Sequence, residues 1–355
     1  MAARDERLFA VLQKIAPGTS LREGVDRIIK AGKGAIIVLG YSDRVEEVIS
    51  GGFKMATKFT AQRLSEVAKM DGAIVVDDAI ENILYANVHL VPHPSIQTSE
   101  TGSRHRSAER VARQTGKPVI SVSESMRIVS VYVDAQKHVL EEISSVLFRA
   151  NQALATLERY RGRLDEVSNA LSGLEIENAV ALRDVLSVLQ RAEMVRRIAE
   201  EIEVYIAELG TDGRLLQLQL DELVAGVDSE RALVVRDYQP DRRRKPETLL
   251  ADIEATPPEG LLDFSQLAAA LGYDPDHDSI DQPITPRGYR LLRRVPQLPD
   301  RTVERLVQRF SSLQRLMEAS LEDLDEVEGI GATRARSIKE GLTRLAEYSM
   351  FERYA

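Results

Sequence analysis

Apolar positions recur with three different periods along this chain, and each period predicts a different kind of structure. In the first third, short runs rich in Val and Ile are bounded by Gly or Asp, as in GAIIVLG at 34–40 and GAIVVDD at 72–78, which is typical of buried strands. The same reasoning predicts strands within 81–91, 117–123 and 127–133, and helical spacing predicts helices within 60–70 and 107–115. Residues 1–145 therefore predict an α/β domain with a mixed, twisted sheet.

From about Ala135 the apolar period becomes helical. One stripe recurs at steps of three and four residues, at Leu140, Ile143, Leu147, Ala150, Leu154 and Leu157. A second stripe runs from Val185 to Leu209 and ends before Gly210. These stripes are typical of helix-pairing surface rather than of a ligand site. Residues 146–285 therefore predict an all-α spine, in which the Pro-flanked basic stretch QPDRRRKPET at 239–248 reads as a solvated turn.

Composition narrows the classes of protein. A length of 355 residues suggests two or three domains. The absence of cysteine excludes disulfides and thiolate catalysis, and the lack of a long apolar run predicts no membrane span and a cytoplasmic protein. The net charge of −9 is uneven, because residues 1–150, 151–285 and 286–355 carry +2, −13 and +2. A polyanion would therefore avoid the middle and prefer an end.

The third period lies in residues 286–355, where short helices predict an all-α domain. The stretch LEDLDEVEGIGATRARSIKEGLTRL contains Gly329 and Gly331 on either side of one apolar residue, which allows a tight hairpin. Thr333, Arg334 and Arg336 then open a helix, whose amino end favours phosphate. The pattern resembles the helix-hairpin-helix module, which holds the DNA backbone without reading sequence. An ordinary αα-hairpin is the alternative.

A second, weaker copy precedes it in RRVPQLPDRTVERLVQRF at 293–310. Gln297 and Pro299 stand where the hairpin glycines would be, so we expect this copy to lack the hairpin and to pack more than it binds. Two copies in series resemble the paired domain of Holliday-junction-binding proteins.

A cluster of cationic residues lies in ETGSRHRSAERVA at 100–112. Arg104, His105 and Arg106 lie between Ser103 and Ser107 at a predicted helix start. The partner of these cations is a carboxylate, a phosphate or no group at all. Helix starts favour anions, and a guanidinium group matches the oxygens of a phosphate, so the pattern indicates a triphosphate. No G-x-x-x-x-G-K-[ST] motif occurs in the chain.

A carboxylate for the same site is available in KMDGAIVV. Asp71 precedes a predicted strand, and Gly72 after it allows a ligand to come close to the backbone. Such a carboxylate holds a divalent cation or receives a proton. The alternative is an Asp in a simple turn.

Asp71-Gly72-Ala73, followed by Gly102-Ser103-Arg104-His105-Arg106, resembles the signature pair of the diadenylate cyclase family. The order of cyclase domain, helical spine and helix-hairpin-helix domain resembles its DNA-associated members. The resemblance implies that two ATP give cyclic di-AMP and two pyrophosphates with Mg²⁺ or Mn²⁺. It implies catalytic roles for Asp71, Arg104, His105 and Arg106, ATP contacts also from Gly72, Leu90, Ser103, Ser107 and Ser123, and metal binding by Asp71 and Glu124.

The symmetry of that product implies an oligomer, because one ATP site cannot close the ring. The resemblance suggests an octamer with facing cyclase domains, branched DNA such as Holliday junctions as a partner, and a setting in DNA damage and repair. A DNA-junction scaffold with a nucleotide-sensing domain is the alternative function. A two-metal nuclease is disfavoured, since the first domain lacks the expected carboxylate cluster.

Overall fold

The computed structural model describes residues 3–274 and 278–354, which group into two compact units. Unit 1 comprises residues 1–153 and 200–219, and unit 2 comprises residues 154–199 and 220–355. Two long helices each contribute to both units. The predicted boundaries at residues 145 and 285 stay a prediction.

Unit 1 is built around one mixed sheet. Its strands are β1 Ala35–Leu39, β2 Ile49–Ser50, β3 Phe53–Lys58, β4 Ala73–Val76, β5 Asn82–Leu90, β6 Val119–Val122, β7 Val129–Val133 and β8 Gln136–Leu140. The order is β2-β5-β4-β1-β6-β7-β8, with β3 also paired to β5. β1 and β4 are parallel, and the other pairings are antiparallel. The predicted mixed sheet is confirmed.

Helices cover both faces of this sheet. They are α1 Ala3–Ile15, α2 Ser20–Lys30, α3 Asp43–Glu46, α4 Ala61–Val67 and α5 Ser103–Thr115. Ile37 and Ile74 face α1, α2 and α4, whereas Val38 and Val75 face α3 and α5. Because successive strand residues point to opposite faces, both faces of β1 and β4 are buried, which explains their uninterrupted apolar sequence.

The helical period predicted from about Ala135 starts only at Ile143. Residues 136–140 form an edge strand, β8, paired with β7 through a turn in which Asp134 has φ of 52°. Leu140, assigned to the helical stripe, belongs to this strand, where buried and exposed positions alternate. The short turn allows the chain to fold back as a hairpin before a helix begins.

The spine helices are α6 Ile143–Glu177, α7 Leu182–Leu209, α8 Arg214–Val224, α9 Val227–Tyr238, α10 Pro246–Ala255 and α11 Phe264–Leu271, with 3₁₀ turns at Gly210–Gly213 and Gly260–Leu262. The second predicted stripe is buried from Val185 to Leu209. In the first stripe Ala150, Leu154 and Leu157 are buried, whereas Ile143 and Leu147 are half-buried. Among the described residues, no helix is long and apolar enough to cross a bilayer.

The C-terminal helices are α12 Tyr289–Arg293, α13 Asp300–Phe310, α14 Leu313–Glu318, α15 Leu321–Asp325 and α16 Ala332–Tyr354. They pack on α9 and α6 within unit 2. The buried Asp237 carboxylate at the end of α9 accepts hydrogen bonds from the backbone N–H groups of Gly288, Tyr289 and Arg290. The Arg290 guanidinium is buried and lies 2.7 Å from the Glu175 carboxylate of α6. These contacts fix the amino end of α12.

Candidate functional site

The predicted nucleotide residues meet at the amino ends of β1 and β4. A cleft of about 260 Å³ lies there, and of the predicted residues it is lined by Asp71, Gly72, Leu90, Ser103, Arg104 and Ser107. Gly34, before β1, lines it as well, as do Met70 and His89. A role for Gly34 in this cleft was not predicted. The triplet Gly-Ala-Ile occurs at the start of both strands, and this repeat could have indicated it.

Gly72 is required because β5 comes very close to it. A Cβ at Gly72 would lie 2.4 Å from the carbonyl carbon of Asn87 and 2.5 Å from its Cα. Asn87 has φ of 55°, and the register between β4 and β5 shifts beside it. The bulge therefore presses the β5 backbone against Gly72 and fixes the direction in which Asp71 leaves the strand.

Arg104 lies between two carboxylates. Its guanidinium nitrogens are 3.3 Å from Asp71 Oδ1 and 3.5 Å from Glu124 Oε2. A Cβ at Gly34 would lie only 2.3 Å from Arg104 Nη1, so the guanidinium occupies the space that this glycine leaves. The Asp71 side chain is 97% exposed. Both contacts are longer than the ~2.7–2.9 Å of strong charge-assisted hydrogen bonds, so Arg104 can readily exchange them for a phosphate.

The amino end of α5 is open toward an anion. The helix begins at Ser103 after Gly102, which has no side chain with which to cap it. Its first backbone N–H groups therefore lack a capping side chain as hydrogen-bond acceptor, and the helix dipole favours a negatively charged ligand there. The preceding loop is held in place by α5 itself, since Arg110 donates to the Ile96 carbonyl at 2.8 Å and Arg113 to the Gln97 carbonyl at 3.2 Å.

His105 is oriented by a buried network that sequence reasoning missed. The hydroxyl of the buried Tyr132 donates to Glu100 Oε1 at 3.1 Å and lies 2.9 Å from His105 Nδ1. Lys137 lies 2.6 Å from Glu100. Burial alone would raise the pKa of Glu100, but the hydrogen bonds from Lys137 and Tyr132 outweigh it and lower that pKa. Because the Tyr132 proton is committed to Glu100, its oxygen accepts from His105 Nδ1–H, which leaves Nε2 as the acceptor.

Burial also lowers the pKa of His105. The neutral ring is thus favoured at pH 7, and the folded state loses stability as the pH falls from about 6.5 toward the folded-state pKa. The signal for this network in the sequence was a Tyr inside an apolar strand, since a buried phenol needs a hydrogen-bond partner.

Four predicted residues lie outside the cleft lining. One of them, Glu124, contacts Arg104 as described above. His105 belongs to the network above. Arg106 is exposed on α5, and within residues 3–274 and 278–354 its guanidinium has no ion-pair partner. Ser123 Oγ accepts a hydrogen bond from Met126 N in the β6–β7 turn. Their roles in ATP binding stay a prediction.

The carboxylates of Asp71 and Glu124 suit a divalent cation that also binds the phosphates of a nucleotide. In the described part of the chain, no three His, Asp or Glu side chains form a metal cluster. Asp71 and Glu124, however, contact the same guanidinium. Mg²⁺ is usually held by one or two carboxylates together with substrate phosphates, so this pair suits a cation that arrives with phosphate.

A second cleft, of about 350 Å³, lies between two hairpins of unit 2. It is lined by Val295, Pro296, Gln297, Leu298, Gly331, Ala332, Thr333, Arg334, Ser337 and Ile338. The predicted Gly331, Thr333 and Arg334 thus meet there, while Gly329 forms the turn with φ of 86° and Arg336 is exposed on α16 outside the lining.

The expectation that the first copy lacks a hairpin is wrong. Gln297 has φ of 60° between α12 and α13, so it adopts the left-handed conformation that Gly329 supplies in the second copy. That conformation costs a non-glycine residue about 1–2 kcal/mol. Packing of Val295 and Leu298 into the core of the domain offsets this cost. Arg305 of α13, also missed, donates to the Glu328 carbonyl at 2.6 Å and ties the two hairpins together.

Comparison with known proteins covers nearly the whole chain. Residues 22–137 match the family described as DisA bacterial checkpoint controller nucleotide-binding, residues 140–280 match the DisA linker region, and residues 295–347 match the helix-hairpin-helix motif. The DNA integrity scanning protein DisA of Acidothermus cellulolyticus is 57% identical over 99% of this chain and 96% of its own length. Those of a Parafrankia species and Streptomyces coelicolor are 54% and 53% identical over 99% of this chain, and the matches cover 98% and 96% of their own lengths.

The network predicts a tautomer that can be measured. In protein with ¹⁵N-labelled histidine, we expect His105 to carry its proton on Nδ1 at neutral pH and to titrate below about 6.5. Tyr132→Phe removes the acceptor, so the proton should shift toward Nε2. Tyr85→Phe, which removes a hydroxyl 3.3 Å from that of Tyr41, is the matched control. An unchanged His105 tautomer in Tyr132→Phe would contradict the network.

Proposed function

This chain belongs to the DisA family of diadenylate cyclases, which are nucleotidyltransferases, and from this we propose that it condenses two ATP molecules into cyclic di-AMP and two pyrophosphates across a two-fold interface. The observation that supports this most directly is the position of Arg104 between Asp71 and Glu124 at the open amino end of α5. It joins an open helix end, a cation and the Asp71 carboxylate in one cleft, with the Glu124 carboxylate in contact with the same cation.

Different residues of this chain have different roles in the proposed reaction. The α5 N–H groups, Arg104, Ser103 and Ser107 hold the triphosphate, and Gly72 with Leu90 lines the adenine side. The 3′-oxygen of one ATP attacks the α-phosphorus of the other, the bond to pyrophosphate breaks, and the hydroxyl proton passes to Asp71. Asp71 and Glu124 would hold Mg²⁺ or Mn²⁺, which when bound would supply positive charge to offset that of the phosphates. Arg104 stabilises the same charge from a fixed position.

The ring requires two facing copies. Each ATP is nucleophile and electrophile toward the other, so two bonds form between two sites related by a two-fold axis. The open cleft of about 260 Å³ is smaller than most complete ligand sites, which suits a half-site that a second copy closes. Met70 and Met126, next in sequence to the site, are 38% and 62% exposed and offer apolar surface for that contact. An octamer is the arrangement that the family resemblance implies.

The helix-hairpin-helix motif gives the chain a DNA-binding role. We assign branched DNA, such as a Holliday junction, to the cleft between the two hairpins. Both hairpins line that cleft, so both reach the backbone. Since α6 and α7 each contribute to both units, DNA bound to unit 2 has a covalent route to the cyclase unit.

Removal of the Asp71 carboxylate tests the chemistry. With ATP and Mn²⁺, wild-type protein should release pyrophosphate and form a cyclic dinucleotide identified by mass spectrometry. Asp71→Asn should lower turnover by at least about 10²–10³-fold, the scale expected for a group acting on the transition state. Asp43→Asn, an exposed carboxylate of α3, is the control. ATP binding without pyrophosphate release would favour a nucleotide-sensing DNA scaffold instead.

Dilution tests the two-fold site. Turnover per subunit should fall as the concentration drops through the range in which light scattering shows dissociation, because a lone half-site cannot close the ring. Added wild-type protein at fixed ATP should restore it. Constant turnover per subunit in a demonstrated monomer would refute the facing arrangement.

Junction DNA tests the coupling. Saturating four-way junction should lower pyrophosphate release several-fold, whereas a linear duplex of the same base composition should lower it less. Arg334→Gln removes a hairpin cation and should weaken the effect. Equal rates with and without bound junction would end the coupling proposal.

A further inference from the structure

The basic stretch at 239–248 is not an isolated solvated turn. It forms one wall of a cleft of about 610 Å³ in unit 2, which we name the basic cleft. Its cationic lining residues are Arg236, Arg242, Arg243, Arg244, Lys245 and Arg287. The acidic side chains among the lining residues are Glu247 and Glu304. The cleft therefore gathers a local excess of positive charge, and most of its cations belong to the segment 151–285, whose net charge is −13.

Part of this charge is already paired, and part is not. Arg244 pairs with Asp252 at 2.6 Å, and Arg236 pairs with Glu304. Arg242, Arg243 and Lys245 are exposed, and in the described part of the chain none of the three has an ion-pair partner. These three cations are available to an incoming anion.

Arg287 fixes the floor of the cleft. Its guanidinium donates to the carbonyls of Arg236, Asp237 and Gln239, at 2.7, 3.1 and 2.5 Å, and so closes the carboxyl end of α9. Burial lowers the pKa of Arg287, and the neighbouring Arg242 lowers it further. Arg287 and Arg242 line the same cleft, and a bound anion would reduce the repulsion between their like charges.

The cleft also contains the start of α10. Lys245 is the N-cap residue and Pro246 the first helical residue. An ammonium group cannot accept the hydrogen bonds that a Ser or Asp would accept at this position, and it adds positive charge at the positive end of the helix. This arrangement becomes favourable when an anion occupies the cleft.

The basic cleft lies close to the hairpin cleft. Tyr289, at the start of α12, lines the basic cleft, and Val295, just past its end, lines the hairpin cleft. At about 1.5 Å per helical residue, the six residue steps from Tyr289 to Val295 span about 9 Å. Duplex DNA carries one charge per about 1.7 Å of its axis, so about 9 Å corresponds to only a few phosphates of one duplex arm.

The lining favours backbone phosphate over a nucleotide base. Tyr289 is the aromatic residue among those that line the cleft, and the Arg236 guanidinium already lies 4.1 Å from the centre of its ring. One face of this ring is thus already occupied by a guanidinium, whereas three unpaired cations among the lining residues remain for phosphates.

We propose that the basic cleft binds the phosphate backbone of a DNA arm that leaves the hairpin cleft, with Arg242 and Arg243 each contacting a phosphate. This inference deepens the proposed DNA role of the hairpins and rests on it. It extends the DNA surface from the helix-hairpin-helix motif onto the spine.

The test is the salt dependence of binding by the full-length protein. Affinity for a fluorescent long-armed four-way junction is measured by anisotropy from about 50 to about 200 mM salt. For Arg242→Gln/Arg243→Gln, we expect the slope of log K against log salt to be shallower than wild type by about 1.8, since each lost phosphate contact removes about 0.9. Affinity at the higher salt should fall about tenfold.

Arg159→Gln/Arg163→Gln is the matched control, because it removes the same charge from exposed positions on α6 within unit 2. Its slope should equal that of wild type, and thermal melting checks that both double variants stay folded. If the two double variants show equal slopes of log K against log salt while Arg334→Gln still weakens junction binding, the proposal for the basic cleft is refuted and the proposed hairpin site is retained. Absence of junction binding by wild type would overturn both.

Discussion

Arg104 lies across the amino ends of two parallel strands because the residue before each strand is a glycine, Gly34 before β1 and Gly72 before β4. A Cβ at Gly34 would occupy the place of its guanidinium, and a Cβ at Gly72 would meet the backbone of β5. This steric constraint brings one cation within reach of both Asp71 and Glu124. It also sets the site at the amino ends of the strands, whereas ligands of open parallel sheets usually bind at the carboxyl ends. The start of α5 points to the same place.

The remainder of unit 1 holds the site around Arg104 rigidly on one side and leaves it open on the other. Arg110 and Arg113 hold the loop before α5, and Tyr132 with Glu100 holds the His105 ring. Groups held in this way need little reorganisation when charge develops on a phosphate. The opposite side carries the exposed Asp71, as expected of a half-site that a second copy completes.

In unit 2, local charge matters more than net charge. The segment between residues 151 and 285 is strongly acidic in total, yet the loop before α10 and the floor made by Arg287 gather cations into one cleft. Screening limits charge effects to roughly 10 Å at ordinary salt, so a phosphate senses this cleft rather than the total. The hairpin cleft nearby offers backbone at two turns, one formed by Gly329 and the other by Gln297.

The sequence by itself determined the strands β1, β4, β5, β6 and β7 and the two long helices, and it assigned Asp71 and Arg104 to one predicted site. It could do so because apolar period, glycine position and helix-start chemistry are local properties. Only the tertiary structure decided the rest. β8 forms because β7 is available as a partner, and Gln297 turns because its neighbours pack into a core. Glu100 meets Tyr132, and Arg287 meets the end of α9, only after distant segments fold together. Such contacts depend on distances across the fold, which no spacing along the chain records.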